Sequence, residues 1–144
     1  MQKDELIAAM EKATGPDREL DAAIFAAVYP DKVPSPIVES GYGWRKERGG
    51  WWLETGEDSR TPRKSVTPLP YTLSVDAAQK LVPPDCWQEI KGPRKYLNIP
   101  TPVPNVWSAY IAKWNHEGDV MGWGATPALA ICIAALRARK ATNG

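Results

Sequence analysis

The sequence predicts an α+β protein: a single domain over residues 1–144, with a mostly antiparallel sheet flanked by helices in the manner of an α-β-α sandwich. Three observations lead there. Helical periodicity recurs near the start, in the middle and at the end of the chain, bounded by capping residues or by prolines. The strand-like segments between those helices are joined by short turns rather than by helical crossovers, which makes neighbouring strands antiparallel. A chain of 144 residues, 43% hydrophobic and 24% charged, is long enough and apolar enough for one core.

Residues 3–13 read as a short helix, with Leu6, Ile7 and Met10 at helical spacing and Gly15-Pro16 closing it. Asp17 caps a second helix over 17–28, with Leu20, Ile24 and Val28 on one stripe beside Ala23 and Ala27, and Pro30 stops it. Pro30, Pro34 and Pro36 make residues 30–40 an extended connection. Tyr42 and Trp44, then Trp51, Trp52 and Leu53, flank the turn-forming Arg45-Lys46-Glu47-Arg48-Gly49-Gly50 and predict an antiparallel hairpin. Residues 54–70 are polar and hold three prolines; they read as loop, the segment best suited to move.

Ser74 caps a third helix over 74–82, ended by Pro83-Pro84. Trp87 to Ile90 is a short strand, residues 93–104 are irregular, and Tyr96 to Ile99 could add a strand. Asn105 to Trp114 is the clearest strand: Trp107, Ala109 and Ile111 alternate with Val106, Ser108, Tyr110 and Ala112, and apolar groups on both faces place it centrally. Residues 119–123 pair with it through a turn at Asn115–Gly118. Gly122-Trp123-Gly124 then reads as a glycine turn into a helix over 126–139, with Thr126 as N-cap, Pro127 at the first helical position and Leu129, Cys132, Ile133 and Leu136 as its apolar stripe. Arg137, Arg139 and Lys140 in its last turn complement the helix dipole.

Composition narrows the function classes. The net charge of +1 and isoelectric point near 7.7 give no global field toward nucleic acid or membrane. Met1 to Leu6 mixes charges and has no signal-peptide core, and the longest apolar run, Ala128 to Leu136, is too short to span a bilayer, so the expectation is a soluble protein of the cytoplasm. Cys86 and Cys132 form no CxxC and read as reduced thiols; with His116 the single histidine, a zinc site lacks ligands. No phosphate-loop motif occurs. Seven Trp against one Phe, and fourteen Pro, are the unusual counts; the Trp excess suits a ligand or subunit surface, and predicts at least a dimer.

Three pieces together resemble the phage ABA-sandwich domain family. They are Glu19-Leu20-Asp21-Ala22-Ala23-Ile24-Phe25-Ala26-Ala27; Pro70-Tyr71-Thr72-Leu73-Ser74-Val75-Asp76-Ala77-Ala78 with Leu81-Val82-Pro83; and Ala125-Thr126-Pro127-Ala128-Leu129-Ala130-Ile131-Cys132 with Ala134-Ala135-Leu136. They cover most of residues 17–139; residues 1–15 and the Pro-rich 93–104 lie outside the likeness. The resemblance implies an antiparallel sheet flanked by helices. It also implies similarity to phage anti-defence sponges, such as those acting against the Thoeris system, which hold a cyclic ADP-ribose-type or cyclic oligonucleotide signal between subunits in the host cytoplasm without cleaving it.

Such a ligand needs cations or helix-end N–H groups for phosphate and a flat aromatic for its base. The sequence offers Arg45 and Arg94 for phosphate, Trp44 and Trp107 for stacking, Asn105 for a hydrogen bond to base or ribose, and the Thr126 helix end as a second anion site, with Ser108 and Tyr110 on the same strand as Trp107. Each residue has a plainer reading: a solvated hairpin turn for Arg45, a core residue for Trp107, a structural cap for Thr126. No cofactor and no catalytic set is forced by the sequence, and the resemblance implies a non-catalytic binder. The alternative is a phage accessory protein whose Trp-rich surface holds a host protein or single-stranded nucleic acid, for which residues 45–64 carry interleaved Trp and basic groups. Four nearby acids, Glu47, Glu54, Glu57 and Asp58, weigh against the nucleic acid.

Overall fold

Asp17 begins helix formation as the sequence predicts. In the computed structural model its carboxylate accepts the N–H groups of Glu19 and Leu20 at 2.8 and 3.2 Å. The structure describes residues 2–34, 44–47, 49–53, 65–94, 106–113 and 118–143; for 44–47, 52–53, 65, 94 and 141–143 it describes the backbone alone. In chain order the elements are α1 (Lys3–Lys12), α2 (Arg18–Val28), a 3-10 turn (Pro30–Lys32), β1 (Trp44–Glu47), β2 (Gly50–Leu53), β3 (Ser65–Val66), α3 (Val75–Gln79), β4 (Cys86–Arg94), β5 (Val106–Lys113), β6 (Val120–Gly124) and α4 (Pro127–Asn143). The result is a single small α+β domain with antiparallel sheets.

Among the described residues two three-stranded sheets form, β1-β2-β3 and β4-β5-β6, and their pairings are antiparallel. The strand expected over 105–114 is seen as β5 over Val106–Lys113, and it is internal, as its two apolar faces required. Helix α4 lies across one face of β4-β5-β6 and touches β5 and β6 most, α1 reaches β6 as well, and α1 and α3 pack on α4. The smaller sheet meets α2, where Trp51 lies 5.6 Å from Phe25, centroid to centroid. Among the described residues no helix is long and apolar enough to cross a membrane.

Four expectations change. The final helix is buried on more than its one expected stripe: every residue from Ala128 to Leu136 is buried, because the sheet covers one side and α1 and α3 cover others. Gly122-Trp123-Gly124 is not a turn but the end of β6. Its glycines are there for room: a Cβ on Gly122 would lie 2.5 Å from Ala130 O and Ala134 N, and one on Gly124 would lie 2.8 Å from Ala130 N. Alanines on the helix and glycines on the strand let the two backbones approach. Strand β4 runs on from Ile90 to Arg94 past Gly92-Pro93, and Ser65–Val66 pairs with β2 inside a stretch expected to be loop. Of that stretch 54–64, like Tyr96 to Ile99, Trp114 and His116, lies outside the described residues.

The Tyr71-Thr72-x-Ser74 motif has a structural explanation. Ser74 caps α3 by accepting the Ala77 N–H, and Tyr71 is buried in the core. Thr72 is buried against Asp21 of α2. Its N–H and its hydroxyl both donate to the Asp21 carboxylate at 2.8 Å, and the hydroxyl also accepts the Asp17 N–H at 2.8 Å. Arg18 completes the pairing of Asp21 at 3.0 Å. A buried carboxylate is tolerable only when it is hydrogen-bonded and paired in this way.

Candidate functional site

Strand alternation gives β4-β5-β6 two faces. Trp107, Ala109 and Ile111 of β5 pair with Gly124, Gly122 and Val120 of β6, and this face takes α4. The opposite face carries three rows of side chains: Trp87 beside Ala112; Glu89, Tyr110 and Met121; and Lys91, Ser108 and Trp123. Glu89, Lys91, Ser108, Tyr110 and Met121 line a shallow depression of about 260 Å³ on it.

The side chains of this face are coupled. The Trp87 and Tyr110 rings sit 5.2 Å apart, tilted by 59°, a favourable edge-to-face arrangement. Lys91 and Glu89 are ion-paired at 3.4 Å with both ends about half exposed. The Tyr110 hydroxyl donates to Asp119, and that bond, ahead of the nearby carboxylate charges, holds the phenol above its ordinary range. Tyr110 and Lys91 both line the depression. At the β6 edge Arg137 donates to Met121 O at 2.8 Å and to Glu11 at 2.7 Å, and lies 6.0 Å from the Trp123 ring centroid.

The residues expected from sequence divide between three places. Trp44 and Arg45 lie on β1 of the smaller sheet, where only the backbone is described, and Asn105 lies outside the described residues. Arg94, described in its backbone alone, pairs with Val106 at the end of the main sheet where β4 finishes and β5 begins. Trp107, paired with Gly124, is at that same end but on the α4 face, half-buried against the core and close over Gly92. Thr126 caps α4 by accepting the Leu129 N–H at 3.2 Å. With Pro127 bringing no N–H and Ala128 and Leu129 buried, its first turn turns few donors to solvent. The backbone therefore brings Arg94, Trp107 and Thr126 to one end of the sheet, apart from Trp44 and Arg45. The residues that sequence reasoning passed over are Trp87, Glu89, Lys91 and Met121. The signal that could have found them is the alternation of β5, which sets Ser108 and Tyr110 on the face opposite Trp107.

The thiols are poorly suited to attack. Burial, then the neighbouring Asp85, pushes the Cys86 thiol up, and burial pushes that of Cys132 up further; its Sγ donates to Tyr71 O at 3.3 Å. Among the described residues no cluster of three or more His, Cys, Asp or Glu side chains could hold a metal ion. No family model matches this chain, and no curated protein or solved structure is found to be similar to it.

Proposed function

We propose that this protein is a non-catalytic sponge that holds a cyclic nucleotide signal of the cyclic ADP-ribose type on the open face of β4-β5-β6, as its likeness to the phage ABA-sandwich family implies. The observation that carries the reading is the Trp87–Tyr110 ring pair standing beside Lys91 and Ser108 on a sheet face that α4 leaves uncovered. A base stacks on the ring pair, and the ammonium of Lys91 meets a phosphate oxygen. Glu89 and Asp119 accept from ribose hydroxyls, the acceptor chemistry a sugar needs.

The balance of charge on this face favours such a ligand over a nucleic-acid strand. Lys91 stands against Glu89 and Asp119. A single strand calls for a continuous basic track beside its stacking platform; a compact ligand with several hydroxyls and one diphosphate does not. At about 260 Å³ the depression is smaller than pockets that enclose a whole drug-sized ligand. It suits a base with its sugar.

The test is a capture-and-release experiment. The protein is incubated with a cyclic ADP-ribose isomer, freed of unbound ligand, denatured, and the released molecule identified by mass. Intact nucleotide supports the sponge; a cleaved product would make the protein an enzyme; no released nucleotide, with capture of single-stranded nucleic acid or a host protein instead, would favour the Trp-rich accessory surface.

A further inference from the structure

Tyr110 has a small neighbour on either side of it along β5. Ser108 comes two residues before it and Ala112 two residues after, and alternation sets all three on the face away from α4. A strand side chain leans along its strand, and its staggered rotamers send a ring one way or the other. Bulk on one flank would fix the choice by crowding. Ser108 and Ala112 instead leave a seat on each side.

The ring takes the seat over Ala112. Trp87 pairs with Ala112, and its ring lies 5.2 Å from that of Tyr110. Val120 pairs with Ile111, so Asp119, one residue earlier, comes level with Ala112 from the other side and accepts the Tyr110 hydroxyl. A diagonal neighbour on the next strand is within reach of an aromatic side chain. Ala112 faces away from α4 yet is only 1% exposed, in keeping with a ring lying across it. The depression lies the other way: Ser108 lines it, with Glu89, Lys91, Tyr110 and Met121, and Ala112 does not. The space over Ser108 is therefore the seat that the ring leaves. That second seat also suits a phenol, since Ser108 stands between Lys91 and Trp123, a cation and an aromatic that both attract one.

We propose that Tyr110 is a two-position gate, latched over Ala112 by its bond to Asp119, and that releasing the latch lets the ring swing across Ser108 and fill the depression. Each seat offers a small floor with a tryptophan beside it, so ring contacts alone separate the two positions weakly. The charge-assisted bond to Asp119 belongs to one of them only. For a ligand the consequence rests on the nucleotide reading: base and phenol compete for the space over Ser108, and latched molecules are the ones that bind.

Tyr110→Phe is the decisive variant, because it keeps the ring and removes the latch. Two readouts are taken: the proton shifts of the Ala112 methyl and the Ser108 methylene, which report the ring lying over each, and calorimetry with a cyclic ADP-ribose isomer. In Tyr110→Phe and in Asp119→Ala the Ala112 methyl should move downfield and the Ser108 methylene upfield. Asp119→Asn, whose amide oxygen still accepts the hydroxyl, should resemble the parent. Affinity should fall by roughly three- to tenfold in Tyr110→Phe, as apparent affinity follows the fraction of molecules that are open. Circular dichroism confirms that each variant is folded. Shifts in Tyr110→Phe that match the parent overturn the gate, whatever the affinity. So does a phenylalanine variant that binds as tightly as a binding parent. A parent that binds no nucleotide removes the nucleotide reading instead, and the shifts still decide the gate.

Discussion

The two faces of β4-β5-β6 are made from alternate residues of the same strands, yet they are different surfaces. Toward α4 the strands offer Gly122, Gly124 and Ala109, and the helix answers with Ala130 and Ala134, so that backbone meets backbone almost directly. Away from α4 they offer Trp87, Tyr110, Trp123, Met121, Glu89 and Lys91. Gly122 and Gly124 mark where α4 presses closest. The covered face answers for stability.

That division can be broken most sharply at Gly122. Valine there must displace the α4 backbone, since its Cβ would fall 2.5 Å from Ala130 O and Ala134 N. Overpacking of this kind should cost about 3 kcal/mol, read as a melting temperature lower by on the order of 10 °C. Nucleotide capture by the fraction still folded should be unchanged.

The next effect is one of pH. Burial, with help from the Tyr29, Cys132 and Asp21 charges, raises the Tyr71 phenol from 10.0 to about 12. The folded state therefore keeps Tyr71 neutral past the pH at which the unfolded chain ionises it. This contribution to stability is complete below about pH 10 and is lost as pH climbs from 10 toward 12, by about 2–3 kcal/mol in all. Urea midpoints taken up that range should fall more steeply for the parent than for Tyr71→Phe, and equal slopes would remove Tyr71 from the account.

Thr126→Ala comes third. Losing the cap on α4 should cost about 1 kcal/mol by thermal or urea melting and leave nucleotide affinity within error. A large loss of affinity at unchanged stability would return the site to the helix end. Tyr110→Ala reverses that pattern. The lost ring pair should cost stability only about 0.5–1.5 kcal/mol, whereas calorimetry with the nucleotide should show affinity lower by roughly tenfold or more, in keeping with the worth of base–aromatic stacking. If Tyr110→Ala binds like the parent, the open face is not the site.

Much of the fold was legible because its boundaries are chemical. Asp17, Ser74 and Thr126 each carry an oxygen that a helix start needs, and each makes that bond. The alternation of β5 placed it centrally for the same kind of reason. What was misread turned on residues whose meaning depends on a distant neighbour. Gly122 and Gly124 look like a turn until Ala130 and Ala134 are seen to need their space. Two residues, Ser65 and Val66, are too few to show a period. Trp107 and Tyr110 are equally aromatic, and only the position of α4 decides that one packs on the core and the other stands on the open face. The open-face residues come from three strands, and their assembly is set by register, which spacing along the chain does not encode.

The Thr72 amide belongs to no helix or strand, yet it donates to a buried carboxylate 51 residues away in sequence. Its hydrogen can be replaced by deuterium only when α2 and the segment ahead of α3 part company. In a record of exchange against time, that one amide should therefore behave as a clock for the whole core, outlasting many hydrogens of the regular elements.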